Sequence, residues 1–263
     1  MKILLTNDDS HDSPLFQFAI DYFSKKGDLT VVVPAEEQSW KGKAMTRFGE
    51  LELKETTVAG HKILAYNGTP GDCANLGIYE ILKEDVDLVV SGINLGYNIG
   101  LAYLWGSGTV GACLEANIAG KPAIALSQAL SHEVYHQWCD NRELKDETAA
   151  EMFRQLTLAL DKVCDNLLND QDFLSSKQTW NINFPAELAD DWQVKNTYVG
   201  HSFYKSVFVP ANDEKTAYKH GIEPFPEDSS PDSDNFVIEN GHVSATLLDI
   251  KDFGQLSTKK SFD

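Results

Sequence analysis

Two adjacent carboxylates, Asp8 and Asp9, follow directly on a short apolar run over residues 2–6 in the opening MKILLTNDDSHD. Side by side they repel one another, and carboxylates drawn partly out of water need an opposite charge or a metal. A hard divalent cation answers both needs. Asn7-Asp8-Asp9 is equally the composition of a solvated turn, so the stretch alone leaves both readings open. A second candidate lies over residues 91–111, SGINLGYNIGLAYLWGSGTVG, where six glycines fall within one strand-to-helix connection. Ser107-Gly108-Thr109 then leads into an apolar helix. The free N–H groups of a helix start, with two hydroxyls beside them, suit a phosphate. The segment is neither a G-x-G-x-x-G fingerprint nor a Walker A loop, since no lysine follows the glycines. A loop with left-handed turns is the alternative reading.

Other elements must position these groups. Residues 2–6 read as a parallel strand buried on both faces. Leu15, Phe16, Ala19, Ile20 and Phe23 form a helical stripe, and residues 29–33 a second strand, so the chain opens as a βαβ unit with parallel strands. Asp8 and Asp9 then stand at the C-terminal end of the first strand, the edge where open α/β sheets bind ligands. Residues 34–49 form a polar loop of a length that is often functional.

Short strands are expected at 51–53, 56–58 and 62–66, as a small antiparallel excursion. Thr69, Pro70 and Asp72 mark a helix start, with the helix running to about residue 83. Further strands are expected at 87–91, 122–127 and 180–184, with helices over 110–119 and 147–168. Beyond residue 186, short alternating runs between polar turns read as β-hairpins projecting from the core. The fold class is α/β: a core with a mostly parallel sheet over residues 1–185, and a C-terminal β-hairpin extension over 186–263 that packs on it.

The 263 residues suffice for one large domain or a domain with an appendage, and 42% apolar with 24% charged content is ordinary for a globular chain. The formal charge is −18, of which −6 falls in residues 1–132 and −12 in the remainder. Such a field repels nucleic-acid backbone and anionic membrane, so neither is expected as a partner. Cys73, Cys113, Cys139 and Cys164 have no CxxC spacing and read as reduced packing residues. Residues 1–5 are too brief for the apolar core of a signal peptide, and no apolar run reaches the length of a membrane span. A cytoplasmic location is expected.

The ordered segments LLTNDD, VVPAEEQS, GTPGDC, LVVSGINLGYNIG, SGTVGA and NINFP resemble the stationary-phase survival protein SurE family of metal-dependent 5′-nucleotidases. The likeness runs through about residues 1–185, with a weaker echo in DNFVIENGHVSATLL. It implies hydrolysis of nucleoside monophosphates to nucleoside and phosphate, at the 5′ and possibly the 3′ position. It also implies a Rossmann-like three-layer core, one divalent cation per subunit, Mg²⁺ or Mn²⁺, and assembly into a homodimer or homotetramer through the C-terminal region. The family's metal ligands fall on Asp8, Asp9, Ser39 and Asn94, and its phosphate-contacting segment on Asn98 and Ser107-Gly108-Thr109. All four ligands are oxygen donors suited to a hard octahedral cation, and no His or Cys completes a zinc-type set. Asp8 or Asp9 is then the group that positions or deprotonates the attacking water.

Three residues depart from the family pattern. Ser10 and Trp40 stand where glycines are usual after NDD and QS, and Gly106 stands where an aromatic usually precedes SGT. At a left-handed backbone position a non-glycine residue costs about 1–2 kcal/mol. Trp40 either fills space left by small neighbours such as Gly106 or offers a face for base stacking. The rival activities are a general phosphomonoesterase and a catalytically weak nucleotide-binding or assembly protein. An aspartyl-phosphate phosphatase is disfavoured because the carboxylates are adjacent rather than spaced as DxD. A dinucleotide-binding dehydrogenase is disfavoured because its first turn needs glycines where this chain has acids.

Overall fold

The first strand, β1 (Lys2–Thr6), has four fully enclosed residues in succession, Ile3 to Thr6, because it is central to the sheet and covered on both faces. Helix α1 (Pro14–Phe23) covers one face with Leu15, Phe16, Ala19, Ile20 and Phe23, each inaccessible to solvent and each contributing about 1.5–3 kcal/mol of burial for the large ones. Strand β2 (Asp28–Pro34) returns parallel to β1. The computed structural model describes residues 1–141, 144, 147–221 and 227–253, with the side chains of residues 139–141 outside the description.

A hairpin follows, β3 (Leu53–Val58) and β4 (His61–Tyr66). Three short strands were expected here as a separate excursion; two longer ones form, and β4 joins the main sheet parallel to β2. The reason is Ile63 and Ala65, which β4 places in the core. Helix α2 (Pro70–Leu76) begins as its sequence dictates: Thr69 and Asp72 complete a reciprocal capping box with Pro70 in the first turn. The expected single helix to residue 83 passes at Gly77–Ile81 into a π-helical turn.

Strand β5 (Leu88–Leu95) runs four residues beyond its expected end, so the SGINL segment lies in the sheet. The glycine-rich connection holds a short helix, α3 (Gly100–Leu104), before α4 (Gly108–Ile118). Strand β6 (Ala123–Gln128) leads to α5 (His132–Asn141), a helix with no counterpart in the sequence reading, then α6 (Glu147–Leu167) and the brief α7 (Gln171–Leu174). Strand β7 (Gln178–Phe184) completes the parallel set.

Beyond it come β8 (Val194–Thr197), β9 (Phe208–Pro210), β10 (Tyr218–His220), α8 (Asp234–Glu239) and β11 (Val243–Asp249). Strands β8 and β11 extend the central sheet, β11 antiparallel to β7, while β9 and β10 form a separate antiparallel hairpin.

The nine-stranded sheet therefore has the order β3-β4-β2-β1-β5-β6-β7-β11-β8. One core packs α1 and α6 on one face of it; the other face packs against α2 and α4. The chain leaves β1 toward β2 on one side and later returns to β5 on the other. Strands diverging in this way open a crevice at their carboxyl ends, here between β1 and β5. Asp8 and Asp9 follow β1, and Asn94 lies at the end of β5. Cys73, Cys113 and Cys164 are buried free thiols; the side chain of Cys139 lies outside the described residues. No described helix is long and apolar enough to cross a membrane.

Candidate active site

The turn after β1 is held open by its own side chains. Asn7 Nδ2 donates to the Ser10 carbonyl at 2.6 Å, and Ser10 Oγ donates to the Ala35 carbonyl at 3.1 Å. Ser10 has φ +66°, so the backbone is in the left-handed region that glycine enters more cheaply. The two hydrogen bonds offset that cost. The turn sends Asp8 inward, only 4% exposed, and leaves Asp9 partly accessible.

Asp8 Oδ1 accepts the Thr109 hydroxyl at 2.6 Å, and backbone groups of Gly108 and Thr109 also hydrogen-bond its carboxylate. The start of α4 is therefore directed at Asp8. Asp9 Oδ2 accepts the Leu95 N–H at 2.9 Å. Burial pushes the pKa of Asp8 up against these hydrogen bonds. It pushes Asp9 well above the ordinary carboxylate range, and the neighbouring Asp8 and Glu37 push it further.

Ser39 arrives on the loop after β2, which is fastened on both sides of it. Gln38 N–H donates to the Asp8 carbonyl at 2.8 Å and Gly42 N–H to the Gly106 carbonyl at 2.9 Å. Farther along, Lys43 pairs with the buried Glu115 at 2.6 Å, and Thr46 donates through its hydroxyl to Asp72 Oδ2 at 2.6 Å. Asn94 is presented by β5 just after its register with β6 shifts between Ser91 and Asn94. Such bulges re-aim side chains beside active sites. Asn98 is clamped from the far strand: its N–H donates to Asn183 Oδ1 at 2.8 Å, and its carbonyl accepts Asn181 Nδ2 at 2.9 Å. Its own Nδ2 donates to Ser127 Oγ at 2.8 Å.

These groups line two adjoining cavities. The smaller, about 130 Å³, has Asp8, Ser39, Asn94, Asn98 and Ser107 in its wall. The larger, about 650 Å³, has Asp9, Glu37 and Ser39 on one side and an aromatic wall of Tyr97, Tyr103, Tyr135 and Trp138 on the other. Trp40 borders both. Gly108 and Thr109 lie behind the cavity wall, against Asp8: Thr109 is inaccessible to solvent, and a Cβ on Gly108 would come within 2.8 Å of Asp8 Cβ.

Neither lining contains a lysine or arginine among the described residues, so no side chain there balances the two carboxylates. The donor set is two carboxylates, a hydroxyl and an amide, all oxygen, which fits a hard cation that retains water. No group of three or more His, Cys, Asp or Glu side chains among the described residues could hold a metal; this set does not need one.

Trp40 also has a left-handed backbone, φ +62°. Its indole occupies the space an aromatic at position 106 would have filled, since a Cβ on Gly106 would lie 2.9 Å from Trp40 Cε3. The ring also meets Tyr103 edge-on at 6.0 Å, Tyr204 at 6.1 Å and His220 of β10 at 5.1 Å, tying the hairpin to the crevice, and is still 39% exposed. Sequence reasoning did not single out Tyr97, Tyr103, Tyr135, Trp138 or the clamping Asn181 and Asn183. The aromatic enrichment of residues 97–105 and the repeated Asn in NINF were the available signals.

Fold and crevice together define a doubly wound α/β protein with a cluster of oxygen donors at its switch point. The profile of the survival protein SurE family matches residues 3–206. A 5′-nucleotidase SurE from Methanosarcina barkeri is 32% identical over 95% of this chain and 92% of its own. One from a Thermoanaerobacter species is 32% identical over 100% and 98%. The crystal structure of the SurE protein from Aquifex aeolicus superposes with a TM-score of 0.73 at 27% identity, covering 95% of this chain and 94% of that one. This chain belongs to the SurE family.

The close passage of the Ser39 loop over α4 is testable. A Cβ on Gly111 would lie 2.3 Å from the Gly42 carbonyl, backbone against backbone. Gly111→Ala must push the loop outward and separate Ser39 from Asp8 and Asp9. The expected result is a fall in phosphate-ester turnover of about tenfold or more, the scale at which a displaced group costs 1.4 kcal/mol, with circular dichroism unchanged. Full turnover in this variant would show that the loop's approach is not required.

Proposed function

We propose that this chain is a 5′-nucleotidase that hydrolyses nucleoside monophosphates to nucleoside and inorganic phosphate, using one Mg²⁺ or Mn²⁺ per subunit. The observation that carries the reading is the uncompensated Asp8–Asp9 pair, Asp8 buried and Asp9 half-buried, in a crevice that also has a hydroxyl, an amide and an aromatic wall. The names of the relatives agree with it. Asp8, Asp9, Ser39 and Asn94 would hold the cation, which when bound neutralises phosphate charge and lowers the pKa of water.

The protein's own groups do the rest. Asn98, fixed by Asn181 and Asn183, and Ser107 at the α4 start present polar atoms to the phosphate. Thr109 and Gly108 hold Asp8 in place from behind. Asp9, the more accessible carboxylate, would orient the attacking water and take its proton. The water oxygen bonds to phosphorus as the P–O ester bond breaks, and the leaving nucleoside oxygen takes up the proton that Asp9 removed, so that one water is added across the bond. Trp40 and the tyrosines of the larger cavity offer faces for the base.

Phosphate release from AMP is expected with Mg²⁺ or Mn²⁺ and absent in EDTA. Asp8→Asn and Asp9→Asn are each expected to lose most activity while melting at or above the wild-type temperature, because each removes one of two repelling buried charges. Near-wild-type turnover in either variant would contradict the assignment. Base contact is read from Trp40→Ala. Stacking of about 1–3 kcal/mol per base predicts a KM rise of roughly fivefold or more for AMP, with ribose 5-phosphate unaffected. A parallel change in both substrates would leave Trp40 as packing for Gly106 alone.

We further assign residues 186–263 as the assembly region, although its strands β8 and β11 continue the sheet of residues 1–185. Its support is the set of exposed aromatics Phe203, Phe208 and Tyr218, at 66%, 58% and 59% exposure. Light scattering is expected to show a dimer or tetramer, and a monomer at micromolar concentration would refute it. The buried free thiols support a reducing, cytoplasmic location, which cell fractionation checks.

A further inference from the structure

Helix α5 carries a second set of donors outside the acidic crevice. Residues 132–136 read HEVYH. A spacing of four places both imidazoles on one helix face, and both side chains are exposed. His132 Nε2 and His136 Nε2 stand 3.1 Å apart, with ring centroids 4.3 Å apart. Two imidazole nitrogens on one zinc-class ion, each about 2.0–2.1 Å from it, lie about 2.9–3.4 Å from each other for angles between square and tetrahedral. The pair is thus already at chelating distance. A hydrogen bond between the rings accounts for the same separation only if one Nε2 carries a proton, and a cation between them takes that proton's place. Two histidines four apart, with glutamate after the first, is also the pattern by which helices present zinc.

We propose that His132 and His136 form a binding site for a borderline transition-metal ion, Zn²⁺ above all, separate from the oxygen-donor crevice. Ligand chemistry keeps the two apart: imidazole suits Zn²⁺, Cu²⁺ and Ni²⁺, whereas carboxylate and carbonyl oxygen suits Mg²⁺ and Mn²⁺. Glu133, exposed in the same turn, and the chain's charge of −18 favour a cation there. No third His, Cys, Asp or Glu joins the pair among the described residues, and the inference is confined to these two ligands. Peptidase chemistry, which needs three protein ligands, is not part of the inference. Tyr135 and Trp138 on the same helix line the larger cavity, so an ion gripping the first turns of α5 stiffens one wall of the crevice.

The test is calorimetric titration of the full chain with ZnCl₂ in excess MgCl₂, which keeps the crevice occupied. One Zn²⁺ per chain is expected to bind in wild type and in Asp9→Asn, and that equivalent is expected to vanish in His132→Ala and in His136→Ala. Circular dichroism and Mg²⁺-dependent turnover report that the histidine variants are folded. Three results would overturn the site: no Zn²⁺ uptake under excess Mg²⁺, uptake that persists in both histidine variants, or uptake lost in Asp9→Asn. None of these bears on whether the crevice hydrolyses phosphate esters.

Discussion

Two carboxylates that repel each other are held at the end of the central strand, with no cationic side chain among the described residues of the crevice to balance them. The surrounding structure is arranged about that unpaired charge. The α4 start is turned toward Asp8, where helix-end N–H groups favour an anion. The Leu95 N–H is turned toward Asp9. The strand that supplies this N–H also supplies Asn94, and the backbone of Asp8 anchors the loop that supplies Ser39. Each neighbour moderates the repulsion, and none removes it. A site that is electrostatically incomplete in this way has a standing preference for a cation, and the oxygen donors determine which kind.

On the aromatic side of the crevice, Trp40 packs over Gly106 from the opposite loop, in space that a side chain at position 106 would need. This places a non-glycine residue at positive φ and brings the indole against Tyr103 and His220. The hairpin of β9 and β10 is thereby attached to the same loop that carries Ser39. One ring thus touches both the hairpin and the crevice.

Much of the core was legible in the chain because each signal had a single local cause. Buried strands showed as continuous apolar runs, and α2 began where Thr69, Pro70 and Asp72 place its cap. The acidic turn declared itself by having no local partner. Less legible were features decided by distant neighbours. β3 and β4 became one hairpin joined to the sheet because Ile63 and Ala65 complete a core built by other elements. Strand β5 runs on through SGINL because it pairs with β6, whose own end is not marked in residues 88–95. β8 and β11 look like hairpin strands by their alternation, and only the pairing of β11 with β7 and of β8 with β11 shows them to be sheet. Thr109 reads as a phosphate ligand until its hydroxyl is seen to be committed to Asp8.

The proposed cation would sit between the β1 turn, the Ser39 loop and the end of β5. Anomalous diffraction from a crystal soaked in Mn²⁺ tests it without recourse to turnover. The account predicts a single strong peak in inner-sphere contact with Asp8 and Asp9 and bordered by Ser39 and Asn94. A crevice that stays empty of Mn²⁺, or a peak whose ligands exclude both carboxylates, would contradict it.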